Sequence, residues 1–195
     1  MAFPTSSLTN NQVHKEGNRA FVYDSALGVW DQVRETDRTD NKILHGEIGS
    51  GVTFPAGHVL QVVHEAYSTQ VSMSTTSNTE INLNATITPS STTNKVLVDW
   101  TIHGNWVGDA RGFKCRLWRD DGGGYDNIYS DAQTYSNYSP GGSDLRWRLR
   151  WTYLDAPGVL VGTTYKIQAA GYNTNEVRFH DGNTASTMVL TEIVA

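Results

Sequence analysis

The residues that could perform acid–base or metal chemistry are scattered along the chain. No Gly-x-Ser-x-Gly elbow, P-loop or His-Glu-x-x-His sequence is present. The histidines lack metal-ligand spacing, and they are His14, His45, His58, His64, His103 and His180. Asp120 and Asp121 precede three glycines, but two carboxylates fall short of a Ca²⁺ coordination set, so an acidic turn is the better interpretation. The sequence therefore predicts no enzyme, no metal site and no cofactor.

The segment between Asp120 and Ser143 is the first candidate for a binding surface. It mixes Ser, Gly, Asn and Asp with four tyrosines: Tyr125, Tyr129, Tyr135 and Tyr138. Tyrosine offers rigid amphipathic contact area, and the small polar residues adapt their hydrogen bonds, as in antibody-type binding sites. A long loop of this kind is typically functional or disordered. Three interpretations stay open: receptor recognition, packing on a neighbouring subunit, or a solvated loop whose tyrosines fold back onto the domain.

The run LRWRLRW at residues 145–151 is the second candidate. Alternation sends one set of side chains to the core (Leu145, Trp147, Leu149, Trp151 and Tyr153) and another to the outer face (Arg146, Arg148 and Arg150). We expect the arginines to pair with an acidic neighbour, such as the strand of Glu80, or to form a subunit contact, since arginine is enriched at interfaces. The net charge of −5 argues against a nucleic-acid partner.

Two short strand patterns near the N-terminus, 19–23 and 28–33, flank the turn residues 24–27 and predict a hairpin. Its aromatic side chains are Phe21, Tyr23 and Trp30. The local sequence is too short to bury all three, so they either dock on a partner surface or pack against the main domain of the chain. Residues 1–17 contain no periodic run and are expected to form an arm. A short helix at 37–44 is a further option.

The secondary-structure elements that position these residues are predicted from the alternation of apolar and polar side chains. Residues 79–104 alternate apolar and polar side chains twice around a polar turn, which indicates an antiparallel sheet with one buried face. Similar patterns predict nine strands: 58–67, 70–75, 80–88, 95–104, 112–119, 145–154, 163–171, 176–180 and 186–194. No stretch between them has helical periodicity. The sequence therefore predicts an all-β sandwich or barrel.

The overall composition excludes several further classes of protein. The chain of 195 residues has one cysteine, Cys115, which excludes an internal disulfide and is expected to be a small buried residue. The N-terminus has neither the basic nor the apolar region of a signal peptide, and no apolar stretch approaches the roughly 18 residues of a membrane span. We therefore expect a soluble protein made in the cytoplasm, without membrane insertion.

Several stretches resemble the C-terminal domains of virion proteins from tailed phages, including those of cyanobacteria. They are SGVTFPAGHVLQVV (50–63), YSTQVSMSTT (67–76), ATITPSSTTNKVLV (85–98), YLDAP (153–157), TTYKIQ (163–168) and MVLTEI (188–193). The segment NRAFVYDSALGVW (18–30) is similar to a hairpin that precedes such domains. The chain departs from the family pattern in the tyrosine-rich segment and in the arginine run, where its specific partner is expected to be encoded.

The resemblance implies a jelly-roll-like sandwich at 54–195, a linker at 35–53 and a virion-docking arm and hairpin at 1–34. It also implies a homotrimer that is displayed on the virion surface, made in the host cytoplasm and bound to other virion proteins. A tail fibre or adhesin would use Tyr125, Tyr129, Tyr135 and Tyr138 to bind a host receptor such as a surface glycan. The alternative is a capsid decoration protein, favoured by the lack of a shaft repeat. A glycan depolymerase would need two converging carboxylates.

Overall fold

The computed structural model describes residues 9, 12–16, 19–33, 43–44, 47–48, 53–107, 111–131, 137–139 and 144–195. The chain divides into two compact units, Met1–Phe54 and Pro55–Ala195. Secondary structure in the described residues consists of β-strands and a short 3-10 turn at Asp181–Asn183. None of these residues belongs to a helix with the length and hydropathy needed to cross a bilayer.

The first unit contains a three-stranded antiparallel sheet with β2 in the centre. Its strands are β1 (Val13–Glu16), β2 (Arg19–Asp24) and β3 (Val29–Val33), and β4 (Ile43–Leu44) pairs separately with β5 (Glu47–Ile48). The predicted hairpin is confirmed. The Asp24 carboxylate accepts the N–H groups of Ala26 at 2.8 Å and Leu27 at 3.1 Å, and Gly28 supplies the positive φ of +68° that closes the turn.

Two expectations for the first unit were wrong in part. Residues 13–16 of the expected arm form β1, because their backbone N–H and C=O groups pair with β2. Their sequence, VHKE, is too short and too polar for alternation to predict a strand. Residues 43–44 of the optional helix lie in β4. Residues 37–42 of that helix lie outside the described part of the chain.

The second unit contains the remaining strands, and all nine predicted strands are confirmed. They are β6 (Val59–Tyr67), β7 (Val71–Met73), β8 (Thr79–Ile87), β9 (Lys95–Trp106), β10 (Arg111–Asp120), β13 (Leu145–Asp155), β14 (Thr163–Gly171), β15 (Val177–Phe179) and β16 (Ser186–Ile193). Two more strands lie in the segment expected to be a long loop, β11 (Tyr125–Ser130) and β12 (Asn137–Ser139). That expectation was wrong for these residues, because both strands pair with β10.

The strands form two antiparallel sheets, each four strand positions wide. Sheet I runs β13, β9, then β16 and β15 end to end, then β6 and β7. Sheet II runs β11 and β12 end to end, then β10, β14 and β8. The chain crosses between the sheets at most connections but stays in sheet II from β10 to β12, and the two sheets together have eight strand positions. The expected all-β, jelly-roll-like antiparallel sandwich is therefore confirmed.

The core lies between the inner faces of the two sheets. Trp100 of sheet I has no exposed surface, stacks on Trp151 at 6.0 Å between ring centroids, and meets the edge of Tyr129 of sheet II at 6.1 Å. At one end Phe113 of sheet II contacts Trp106 and other aromatic rings of sheet I. Aromatic pairs of this geometry add to the free energy of apolar burial. The expected burial of Cys115 is confirmed.

A buried histidine joins the two sheets. His180 follows β15 in the left-handed backbone region, and its Nε2 donates to the Ile81 carbonyl of sheet II at 2.7 Å. In the neutral ring, which burial favours, Nδ1 accepts the hydroxyl of Ser186 in sheet I at 2.6 Å, and the Ser186 oxygen accepts the His103 N–H at 3.0 Å. Burial lowers the pKa of His180 and outweighs the bond to the Ile81 carbonyl, which acts to raise the pKa, while the neighbouring His103 adds to the lowering.

We predict that the second unit loses stability as pH falls from about 7 to 5. The unfolded chain binds a proton to this histidine near its ordinary pKa of about 6.5, whereas the folded state resists protonation, so stability rises with pH by up to about 1.4 kcal/mol per unit. Urea unfolding across this range measures the slope. His180→Asn, which tolerates the left-handed backbone, should flatten it, while the exposed His64→Asn should not. An unchanged slope in His180→Asn would contradict the assignment.

Candidate functional site

The tyrosines predicted to bind a receptor do not form one cluster. Tyr125 lies opposite Asp120 at one end of β10, and Tyr138 lies opposite Gly112 at the other end. Eight residues of strand separate these positions, which is about 26 Å at the usual rise per residue. Tyr135 lies outside the described residues. Tyr125 and Tyr138 therefore belong to different surfaces of the second unit.

Tyr129 is not part of an exposed surface. Its ring packs in the sandwich against Trp100 and at 5.8 Å from Tyr153, and its hydroxyl donates to Asp131 at 3.0 Å. Burial, together with the bond to Asp131, raises its pKa. For this residue the interpretation of a tyrosine folded back onto the domain is correct. The reason is a bulge between Leu117 and Trp118 in the β10–β11 pairing, which sets Tyr129 opposite the inward-facing Leu117.

Tyr138 and Tyr172 form an exposed aromatic pair, called here the tyrosine pair. Their ring centroids are 5.6 Å apart at an interplanar angle of 82°, and they are 45% and 41% exposed. Gly112 places them together, because Tyr138 lies opposite it in the strand pairing and the Tyr172 N–H donates to its carbonyl at 2.8 Å. Sequence analysis missed Tyr172, since only the β10–β14 pairing carries the end of β14 to this point.

Tyr125 sits on the outer face of sheet II with charged neighbours. The Lys166 ammonium lies 3.7 Å from the centroid of the Tyr125 ring, a cation–π contact, and also binds the Glu80 carboxylate at 3.1 Å. Tyr125 remains 41% exposed. This arrangement fixes the ring on the sheet while leaving contact area open. It also shows that Glu80 pairs with Lys166. The expectation that the arginines of β13 pair with Glu80 was therefore wrong.

The arginine row comprises Arg146, Arg148 and Arg150 on the outer face of β13. Arg146 Nε donates to Asp181 at 3.2 Å, and Arg150 Nε donates to Asp99 at 2.8 Å. The expected pairing with acidic neighbours therefore holds for both, with aspartates of the same face as partners. Arg148 lies opposite His103, and no described carboxylate pairs with it. Burial, and then the charge of Arg148, lower the pKa of His103. Exposed ion pairs of this kind stabilise a fold only slightly.

An apolar row crosses the same outer face beyond the arginines. Strand register places Leu154, Leu97, Thr191 and Val62 side by side across all four positions of sheet I. Leu154 is 50% exposed and Val62 is 59% exposed. Sequence analysis missed this row, because each member looks like an ordinary surface residue of its own strand. Only the pairing of distant strands makes the row continuous.

The aromatic residues of the hairpin lie on one face of the first unit. Tyr23 and Trp30 are cross-strand partners with ring centroids 5.3 Å apart, and His14 of β1 adds an edge contact to Trp30 at 5.9 Å. Phe21 is 7% exposed. The predicted cluster therefore includes His14, which only the unexpected strand β1 could bring to it.

The acidic residues before the glycines form a turn. Asp120 accepts the N–H groups of Gly122 at 2.9 Å and Gly124 at 3.1 Å, while Asp121 pairs with Arg119 at 3.1 Å. The interpretation of an acidic turn is confirmed. In the described part of the chain, no group of three or more His, Cys, Asp or Glu side chains is arranged to hold a metal ion.

The comparisons with known proteins find a remote structural likeness. No family model matches the chain, and no curated protein matches it. Among solved structures, the infectious bursal disease virus VP2 subviral particle has a TM-score of 0.45 and 11% identity, over 84% of this chain and 39% of that one. The Gx strain of that virus gives 0.35 and 13% over 79% and 42%, and the Gt strain gives 0.35 and 12% over 91% and 48%. This chain spans less than half of each of those proteins.

Proposed function

We propose that the chain is a structural protein of a bacteriophage virion, displayed on the particle surface and anchored through residues 1–34. The support is the resemblance of residues 50–195 to tailed-phage virion proteins, together with the jelly-roll topology that this resemblance implies. Jelly rolls occur in viral capsid and lectin domains, but a fold alone does not define a function. The remainder of the proposal therefore depends on particular surfaces.

The tyrosine pair carries the proposal that this protein is a tail fibre or adhesin. Two rings held at right angles and more than two-fifths exposed offer apolar faces on which sugar rings can stack, beside hydroxyls that hydrogen-bond. Their positions are fixed by backbone contacts to Gly112, so little entropy is lost on binding. The receptor would be a host surface glycan. Tyr125, at the other end of β10, is a second contact point in the proposal.

A homotrimer is the proposed assembly, and the outer face of sheet I is the proposed contact. The apolar row and the arginine row lie side by side on it, and protein interfaces combine apolar area with arginine. Three copies would let individually weak glycan sites act together and raise avidity. The aromatic cluster of the first unit would dock on other virion proteins, with contact area from the half-buried Tyr23 and Trp30, since Phe21 is itself buried.

We predict that Tyr138→Ala weakens adsorption of the particle to host cells by about tenfold or more, since truncating a central aromatic contact costs at least about 1.4 kcal/mol. The fold should persist because the ring is exposed. Adsorption rates of variant particles measure the effect. The matched control is Leu160→Ala, which removes a 57% exposed apolar side chain from the loop between β13 and β14. Equal adsorption of the Tyr138→Ala particle and the original would refute the receptor role.

Capsid decoration is the second candidate. It is favoured by the separate compact first unit, which could dock on a head lattice while the second unit serves as an outer knob. Copy number separates the two functions. Tens to hundreds of copies per particle would indicate decoration, whereas about a handful would indicate a tail appendage.

A further inference from the structure

A cleft of about 220 Å³ opens between β6 and β8, where the outermost strands of the two sheets face each other. Its walls are formed by Glu65, Ala66, Tyr67, Asn82, Leu83 and Asn84. Leu83 is 1% exposed and lies in the core beneath the cleft, whereas Glu65, Tyr67, Asn82 and Asn84 supply its polar lining. At about 220 Å³ the cleft is large enough for one sugar ring and too small for a folded peptide element.

The polar groups of the cleft are available to a ligand. Glu65 and Asn84 are exposed, and neither side chain makes a hydrogen bond or ion pair with another described residue. The Asn82 amide donates to the Tyr67 hydroxyl at 3.2 Å, which leaves its carbonyl oxygen as an acceptor. The Tyr67 ring is fixed from behind by an edge contact with His180 at 5.1 Å. A carboxylate, two amides and a hydroxyl thus belong to residues that line one small cleft.

The backbone of Asn82 is unusual and aims its side chain. Its φ is +61° in the middle of β8, in the left-handed region that strand residues other than glycine rarely adopt. A register shift between Lys166 and Gln168 in the β8–β14 pairing accompanies it. Irregularities of this type redirect a side chain and are concentrated at binding sites.

We infer that this cleft binds one neutral sugar unit through its hydroxyl groups. A carboxylate accepts two hydroxyl hydrogens, and an amide both donates and accepts, so together they match the paired donors and acceptors of neighbouring sugar hydroxyls. One carboxylate is too few for Ca²⁺ and would repel an acidic sugar. The inference stands apart from the proposed attachment role, because purified protein would bind the sugar whatever particle carries it.

Saturation-transfer NMR on the purified chain tests the cleft, with the methyl glycosides of glucose, galactose and N-acetylglucosamine as probes. We expect at least one to bind with a Kd in the millimolar range, and Asn84→Ala or Glu65→Gln to weaken binding about tenfold. Asn82→Gly is the most informative variant. Glycine suits a φ of +61°, so the variant should be at least as stable, yet it should lose about tenfold in affinity.

Asn127→Ala, which changes an exposed asparagine on β11 outside the cleft, is the matched control and should bind normally. Saturable transfer from none of the probes at about 50 mM would overturn the inference. So would binding that survives Asn82→Gly and Asn84→Ala. Loss of binding in Tyr138→Ala alone would also overturn it, and would instead support the tyrosine pair as the glycan site. Failure of the cleft and failure of the proposed attachment function are therefore distinguishable.

Discussion

Replacing Trp100 with alanine will lower the free energy of unfolding of the second unit by about 3–5 kcal/mol, the range for removing a buried tryptophan. Trp100 has no exposed surface and lies between a stacked ring, Trp151, and an edge-on ring, Tyr129, from the opposite sheet. Neither neighbour can fill the space, since each is held by its own strand. Urea unfolding followed by far-ultraviolet circular dichroism measures the loss.

Two further variants serve as controls for the expected loss of stability in Trp100→Ala. Trp118 lies half-buried on the outer face of sheet II, so Trp118→Ala should cost below about 2 kcal/mol. Trp100→Phe should cost only about 1–2 kcal/mol, because it keeps the ring contacts and removes an indole N–H that has no partner among the described residues. Equal losses in Trp100→Ala and Trp118→Ala would contradict the assignment of the core.

The second large effect is expected at Glu192, a carboxylate with no exposed surface on β16. Oε1 accepts the Ser90 N–H and hydroxyl and the Asn94 amide, each at 2.7 Å, and Oε2 accepts the Gln61 amide at 2.6 Å. Glu192→Ala removes the acceptor that these donors share and leaves the buried ends of Ser90 and Asn94 poorly paired, although Gln61 keeps its bond to the Thr88 carbonyl, so we expect a loss of about 3 kcal/mol or more. Glu80→Ala, which removes a partly exposed surface carboxylate paired with Lys166, should cost less than about 1 kcal/mol.

Unfolding of the protein at acid pH tests the same hydrogen-bond network around Glu192. Burial acts to raise the pKa of Glu192, but the hydrogen bonds from Asn94, Gln61 and Ser90 outweigh it and leave the pKa below its usual value. Its contribution is complete above the unfolded pKa of about 4.3 and is lost as pH falls through the lower folded pKa. Glu192→Gln should therefore remove part of the acid unfolding below pH about 4.3. Identical acid unfolding in both proteins would count against the network.

Most strands could be predicted because the alternation of apolar and polar side chains is visible within each short segment of the sequence. Alternation in residues 163–171 gave the bounds of β14 without error, and the same pattern identified β8 and β9. Strands β1 and β12 escaped prediction because they are short, carry few apolar residues and exist only through pairing with a longer neighbour. Edge strands obtain their order from a partner rather than from their own composition.

The surfaces were harder to predict than the strands. The tyrosine-rich segment was recognised by composition, yet its residues divide among a half-buried, inward-facing position, Tyr129, and two distant exposed positions, Tyr125 and Tyr138. A single bulge decides that Tyr129 points inward while Tyr125 points outward, because one extra residue reverses the face to which every following side chain points. The left-handed backbone of Asn82 and the cleft beside it could not be predicted for the same reason, because a register shift between paired strands accompanies them.

The sequence by itself determined that this protein is built from strands with one buried face, and which side chains of the regularly alternating strands β8, β9 and β14 point inward, whereas Leu145, expected in the core, is 56% exposed. Those properties follow from the two-residue period of the extended backbone, which any short segment displays. The tertiary structure decided which strands are neighbours, and with them the tyrosine pair, the apolar row and the cleft. Each of these surfaces joins residues far apart in the chain, and their proximity depends on sheet register and packing, which no single segment encodes.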